Sequence, residues 1–400
     1  MIVIAGGDVV LPDRILTHAS LVLDGARIGA VEPTARVDSP RATVVSATEC
    51  YVLPGFVDVH VHGVHGHDTL DAGEPVAEIA ARLPQYGVTA FCPTTVACPP
   101  WALRGVLDQV AASRANRSSG SARVLPAHLE SNFINPEFRG AQPADCLRSL
   151  DAPASAAREG DFSGRDILDV VAACRSDVGI VTLAPELPGA IELVRALVSA
   201  GHRVSLGHSG ASLEAAMAAI DAGARHATHL FNRMTPITHR APGLAGAVLG
   251  SESVAAELIC DGYHVHPTIS RIAITSKGVG RVMAITDGTA GSGLTAGATA
   301  RLGGRRIRVT DHAAILDDGT LAGSTLTMDR AFRTIVTSFG LPVFAASVMC
   351  STTPARELGL DGLGVLAEGG FADVVILDRQ FRVVRTFVNG EEVYRTGATA

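Results

Sequence analysis

Pro54-Gly55-Phe56-Val57-Asp58-Val59-His60-Val61-His62-Gly63 is the stretch whose reading decides the fold. An apolar run ends in two histidines with one residue between them. In a β-strand successive side chains alternate faces, so His60 and His62 leave the same side. Two imidazoles on one face of a strand end can hold one divalent metal. A solvent-exposed strand could carry the same pair by chance. Phe56, Val57, Val59 and Val61 beside the abrupt Gly63 mark a buried strand instead. A metal site needs further ligands, and the rest of the chain can be searched for them.

Working outward, apolar runs of β character recur at 51–62, 87–93, 123–130, 179–185, 203–208, 226–230, 254–261 and 281–287. Helix-compatible stretches separate most of them, at 75–86, 101–115, 165–174, 190–200, 213–222 and 267–276. Eightfold alternation of strand and helix predicts an α/β fold, a (β/α)8 TIM-like barrel. Active residues of such barrels gather at the C-terminal strand ends. Those ends carry His60 and His62, His128 and Glu130, His208, His229, and Asp287, each a possible metal ligand or proton carrier. Both chain ends read differently, as short β runs with turn signals such as Asp24-Gly25 and Asn389-Gly390. We therefore expect a small β-sandwich domain from residues 1–52 and 365–400, with the barrel spanning 53–364.

The 400 residues are 47% apolar and 18% charged, which suits a large core, and a net charge of −7 leaves no basic footprint for nucleic acid. Seven scattered cysteines without a C-x-x-C pair point to reduced thiols and a cytoplasmic location. Met1–Asp8 lacks a basic signal-peptide start, and no long apolar run predicts a membrane span. Among the other histidines, His65 and His67 read as a solvated loop, His226 as structural, and His18, His202 and His312 as surface residues. Trp101 reads as a packing residue at a helix start.

Further motifs appear in order: Leu-Gly-His-Ser (206–209), His-Leu-Phe-Asn (229–232), Pro-Gly-Leu-Ala-Gly (242–246), Asp-Gly-Tyr-His (261–264), Thr-Asp-Gly (286–288), Leu-Ala-Gly-Ser (321–324) and Gly-Gly-Phe-Ala-Asp-Val-Val (369–375). With the opening stretch they resemble the amidohydrolase superfamily, and closely the N-acetylglucosamine-6-phosphate deacetylases. The resemblance implies a metal-dependent hydrolase that takes acetate from a phosphorylated N-acetylated amino sugar. It implies Glu130, His208 and His229 as ligands of the main metal and His60 and His62 as holders of a second, with Asp287 moving protons beside them. Zinc is the expected ion, as one or two per chain, with iron(II), manganese or cobalt as alternatives. His264 is implied both in catalysis and in substrate binding. Ala141, Gln142, Asn232, Arg233, Arg240, Leu321, Ala322 and Gly323 fall at the positions implied to bind substrate, Arg240 near the phosphate. A homodimer is implied as well.

The chain departs from that pattern at four places. Ser131-Asn132 replaces Gly-Pro, Gln142 replaces a histidine, Arg233 a small residue, and His239 a glycine. All four lie in expected substrate-facing loops, so the galactosamine epimer or another N-acylated amino sugar stays open as the substrate. A dihydropyrimidinase-like cyclic amidase would need a lysine at the end of strand four. The only lysine, Lys277, lies elsewhere. A non-catalytic sugar-binding protein would have no reason to keep Asp287 and the full set of histidines.

Overall fold

In the computed structural model, which describes residues 1–34, 42–150 and 161–397, the barrel is built from eight parallel strands in chain order. They are Phe56–Val61, Val88–Thr95, Ala127–Glu130, Val178–Leu183, Arg203–Leu206, His226–Ala227, Ala255–Ile259 and Val282–Ile285. Nearly every residue in them is buried, as a sheet lined by helices outside and side chains inside requires. Strands one and eight close the ring through one parallel bridge, Val61 to Gly288, where Gly288 O accepts from His62 N at 2.8 Å and Gly63 N at 2.9 Å. Deeper in the same seam, the Thr286 hydroxyl donates to the buried Asp58 carboxylate at 2.6 Å. Asp58, two residues before His60, thus ties the first strand to the turn that carries Asp287.

Most expected strands are shorter than the sequence suggested, two of them for reasons visible in the backbone. The run 51–62 breaks at Gly55. Tyr51–Pro54 pairs antiparallel with Val374–Leu377 outside the barrel, and only Phe56–Val61 enters it. The sixth run keeps just His226–Ala227 in the ladder, because the backbone turns away before His229.

The six expected helices are present as Pro75–Arg82, Pro100–Ala115, Gly164–Ala173, Ala190–Ser199, Leu213–Asp221 and Pro267–Lys277. Gly243–Gly250 and Met328–Thr337 are additional helices. The first, Gly-Leu-Ala-Gly-Ala-Val-Leu-Gly, has no polar face and hence no helical period to read. A three-stranded antiparallel sheet, Thr299–Leu302, Arg305–Val309 and Ala314–Ile315, follows strand eight and was also unexpected. It brings Leu302 and the segment 321–323 to the barrel mouth.

Both chain ends meet in one mixed sheet. Its order runs Glu391–Arg395, Val383–Val388, Val374–Leu377, Tyr51–Pro54, Ile2–Val10, Ile15–Asp24 and Arg27–Glu32, with Thr43–Ser46 also on Ile2–Val10. It has its own apolar core, which includes Ile4, Leu21, Ile28, Val52 and Phe387. Arg123, in a two-residue strand that pairs with Val88–Thr95 just before the third barrel strand, reaches across to Asn389 at 2.6 Å and Asp373 at 3.4 Å. Among the described residues, no helix is long and apolar enough to cross a membrane. All seven cysteines are free, and all but Cys50 are buried.

Candidate metal centre and active site

The strand ends deliver their polar side chains to one place. Glu130 Oε1 lies 2.6 Å from His208 Nε2 and 2.8 Å from His229 Nε2, and the two nitrogens are 3.0 Å apart. Beside this trio, His60 Nε2 lies 3.2 Å from His62 Nε2, and Asp287 Oδ1 lies 3.4 and 3.3 Å from them. His62 Nε2 is also 3.3 Å from Glu130 Oε2, so the two groups adjoin. All six side chains are buried.

Backbone shape aims them. His208, His229 and Asp287 have φ of +49°, +30° and +48°, the left-handed region that side chains other than glycine seldom occupy. Such a residue turns the chain off its strand and costs of order 1–3 kcal/mol, a strain typical of functional positions. Gly323, at φ +60°, packs against the Asp287 turn so closely that a Cβ there would stand 2.6 Å from Thr289 Cγ2.

The electrostatics mark a place for a cation. Burial alone would lower the pKa of His62, yet hydrogen bonds to Asp287 and Glu130 raise it to about 10. Burial is likewise outweighed at His229, where Glu130 raises the pKa to about 9. Glu130 is held well below the carboxylate range: burial pushes it up, and the charge and hydrogen bond of His208 more than reverse that. His208 donates Nδ1–H to Phe138 O at 2.8 Å, so Nε2 is the nitrogen that faces Glu130 and His229 and is the one open to an ion once its proton leaves. Nδ1 of His62 and of His229 has no partner among the described residues, so each ring's polar contacts there lie within the cluster. Buried carboxylate oxygens and imidazole nitrogens converging on one place fit a divalent ion of the zinc, cobalt, iron or manganese kind. A third group, His60 with His128 and Glu257, does not fit one. Both nitrogens of His128 are committed, to Val59 O at 3.0 Å and to Thr182 Oγ1 at 2.8 Å.

A cavity of about 420 Å³ opens above the cluster. Ala141, Gln142, Asn232, Arg233, His264, Leu321 and Gly323 line it, as the sequence led us to expect, together with all of the six clustered side chains but His60. Ala322 is fully buried behind its neighbours and does not. Arg240 lies on the exposed 235–241 loop outside the cavity wall, so within one chain the cationic fork inside is Arg233. Gly140 makes room for it, since a Cβ there would stand 2.7 Å from Arg233 Nε. Gln142, besides lining the cavity, has a contact that the sequence did not show. Its Oε1 accepts from Ala97 N at 2.7 Å, which turns Nε2 toward Glu130, to which it donates. Both amide ends thus have a protein partner, and Nε2 steadies the Glu130 carboxylate. His264 is anchored through Nδ1 to Asp261 at 2.6 Å. Burial would lower its pKa, but the bond to Asp261 raises it.

Residues 51–393 match the model of the amidohydrolase family. The chain belongs to the amidohydrolase family. Within it, the chain is 39% identical to mouse N-acetylglucosamine-6-phosphate deacetylase over 357 residues, 86% of this chain and 83% of that protein. It is 34% identical to N-acetylgalactosamine-6-phosphate deacetylase of Escherichia coli O157:H7, with 94% of each covered. Among solved structures, a mutant N-acetyl-D-glucosamine-6-phosphate deacetylase of Mycobacterium smegmatis in complex with N-acetyl-D-glucosamine-6-phosphate superimposes with a TM-score of 0.87 at 32% identity. That match covers 98% of this chain and 99% of the other.

Sequence reading of this amidohydrolase missed three contributors. Glu257 lies within the apolar strand Ala255–Ile259, Asp58 within the opening stretch, and Thr286 beside Asp287. Only Asp58 and Glu257 gave any signal, as carboxylates in otherwise apolar runs. Three lesser expectations also change. His202 is buried, donating to Val178 O at 2.9 Å. His65 is half-buried and stacked on Tyr86, 2.5 Å from its hydroxyl. Trp101 is 58% exposed and touches Phe162 edge-on, so it packs only at the surface.

Proposed function

We propose that this amidohydrolase hydrolyses the acetamide of N-acetylglucosamine 6-phosphate, giving acetate and glucosamine 6-phosphate. Glu130, His208 and His229 would hold the tighter divalent ion and His60, His62 and Asp287 a second, zinc being the first choice. An ion there supplies Lewis acidity: it lowers the pKa of water and polarises a carbonyl oxygen. Asp287, at the junction of the two ligand groups, takes the proton of the attacking water as that oxygen bonds to the acyl carbon. It returns the proton to the sugar nitrogen as the C–N bond breaks. His264, fixed through Nδ1, presents Nε2 to the carbonyl oxygen and stabilises its developing charge. Arg233 supplies a planar fork suited to the phosphate.

The observation that carries this reading is the single buried convergence of Glu130, His208, His229, His60, His62 and Asp287 beneath a cavity lined by an arginine and a histidine. The similarity to deacetylases of both epimers supports the reaction type and leaves the sugar to experiment. We place the enzyme in the cytoplasm, which suits its free cysteines, and as a homodimer. Ile237, Tyr263, Ile269 and Ile272 are exposed large apolar side chains, and we assign them to the contact with the second subunit. Acetate release should be compared across N-acetylglucosamine 6-phosphate, its galactosamine epimer and both unphosphorylated sugars. The first should give the highest kcat/KM. Preference for an unphosphorylated sugar would overturn the phosphate assignment, and preference for the epimer would move the enzyme to galactosamine metabolism.

A further inference from the structure

Glu257 stands fully buried in the seventh barrel strand, behind the metal ligands and out of reach of the cavity. Its Oε2 lies 2.9 Å from His60 Nδ1 and accepts more weakly from His229 N at 3.3 Å. Its Oε1 has no hydrogen-bond partner, since the nearest imidazole, His128, is 3.7 Å away and already committed through both nitrogens. Among the described residues, the one side chain that this carboxylate hydrogen-bonds is therefore His60.

That contact decides which nitrogen of His60 faces the cluster as a lone pair. A neutral imidazole has one N–H and one lone pair, and a carboxylate against Nδ1 makes Nδ1 the donor. Nε2 is left free, aimed at His62 Nε2 and Asp287 Oδ1. His62 has no such support, because its Nδ1 is buried without a partner. Of the two histidines in the opening motif, only the first is preset by the fold. His208 and His229 in the other ligand group reach Glu130 without help from the Glu257 side chain except through the weak backbone contact at His229.

We infer that Glu257 is a positioning residue that presets His60 for the second ion and leaves the ion of Glu130, His208 and His229 largely independent of it. The inference rests on the two-ion reading proposed above. A carboxylate behind a ligating imidazole fixes its tautomer and strengthens it as a donor, and loss of such a partner lowers metal affinity by roughly 10–100-fold.

The test is a cobalt titration of the metal-stripped full-length protein, read by bound-ion count and by cobalt absorption. Wild type, Glu257→Leu, Glu257→Gln and a His62→Ala control are compared, each with its thermal midpoint. Wild type should take up two ions. Glu257→Leu should keep one at wild-type affinity and bind the other about 10–100-fold more weakly. Glu257→Gln, whose amide oxygen can still accept from Nδ1, should recover most of that loss. Two ions at wild-type affinity in Glu257→Leu would overturn the inference while sparing the two-ion reading. So would equal weakening of both ions in the Leu and Gln variants, the mark of a purely structural strut. A single ion in wild type would instead bring down the two-ion reading, and the inference with it.

Discussion

At residue 287 one carboxylate sits between two ligand groups, and its substitution separates chemistry from metal holding. Asp287→Asn should lower kcat by about 10²–10⁴-fold while the ion held by Glu130, His208 and His229 stays bound, as turnover and metal analysis together would show. Near-normal turnover would mean that another group moves the proton. Arg233 is the cation inside the cavity. Arg233→Ala should raise KM for the phosphorylated sugar by roughly ten- to a hundredfold, the loss of a charge-assisted bond of about 1.5–3 kcal/mol. The unphosphorylated sugar should be unaffected; equal effects on both would place the phosphate elsewhere. Gln142 works through Glu130, so Gln142→Leu should weaken the main ion by about 10–100-fold, measured by competition with a chelator.

At the scale of elements, the strand ends act together. In the metal-free protein His62 and His229 have pKa values raised to about 10 and 9 from 6.5. Both therefore carry protons at pH 8, and an incoming ion must displace them. Metal uptake at pH 8 should release protons, countable by calorimetry in buffers of different ionisation enthalpy, and apparent affinity should rise with pH up to about 10. Uptake without proton release would contradict the ligand assignment. The same raised values stabilise the metal-free fold fully below pH 6.5, and that contribution is lost as the pH climbs through about 9 and 10. Much of this arrangement was legible beforehand. Period-two spacing put His60 and His62 on one face, and apolar runs ending in His208, His229 and Asp287 gave the barrel and its mouth. The left-handed backbone at those three ends was not legible, because nothing local to His, His or Asp demands it; tertiary packing such as that of Gly323 on the Asp287 turn imposes it. Glu257 was hidden for a related reason. One carboxylate in an apolar run declares a partner but not which one, and His60 lies 197 residues away. Gln142 and Arg240 were placed by motif position, which says nothing of the bond from Gln142 to Glu130 or of the exposed loop that carries Arg240.

Taken whole, the molecule is a barrel with a terminal sheet fastened to its side by Arg123 and by Arg117, which reaches Glu391 at 2.7 Å. Neither contact approaches the metal centre, so changes there should alter thermal stability more than kcat. The exposed apolar side chains at 237–272 belong to the same scale. Ile272→Glu should shift the proposed dimer toward monomer in analytical ultracentrifugation, and an unchanged dimer would place the interface elsewhere. The central claim, a deacetylase whose chemistry depends on ions held at the barrel mouth, is tested most directly by one assay. Acetate release from N-acetylglucosamine 6-phosphate is followed with metal-stripped enzyme while zinc is added back in counted equivalents. The account predicts negligible turnover without metal and recovery that saturates by two equivalents, with no recovery in His208→Ala. Full turnover by the stripped enzyme, or recovery in His208→Ala equal to that of wild type, would contradict it.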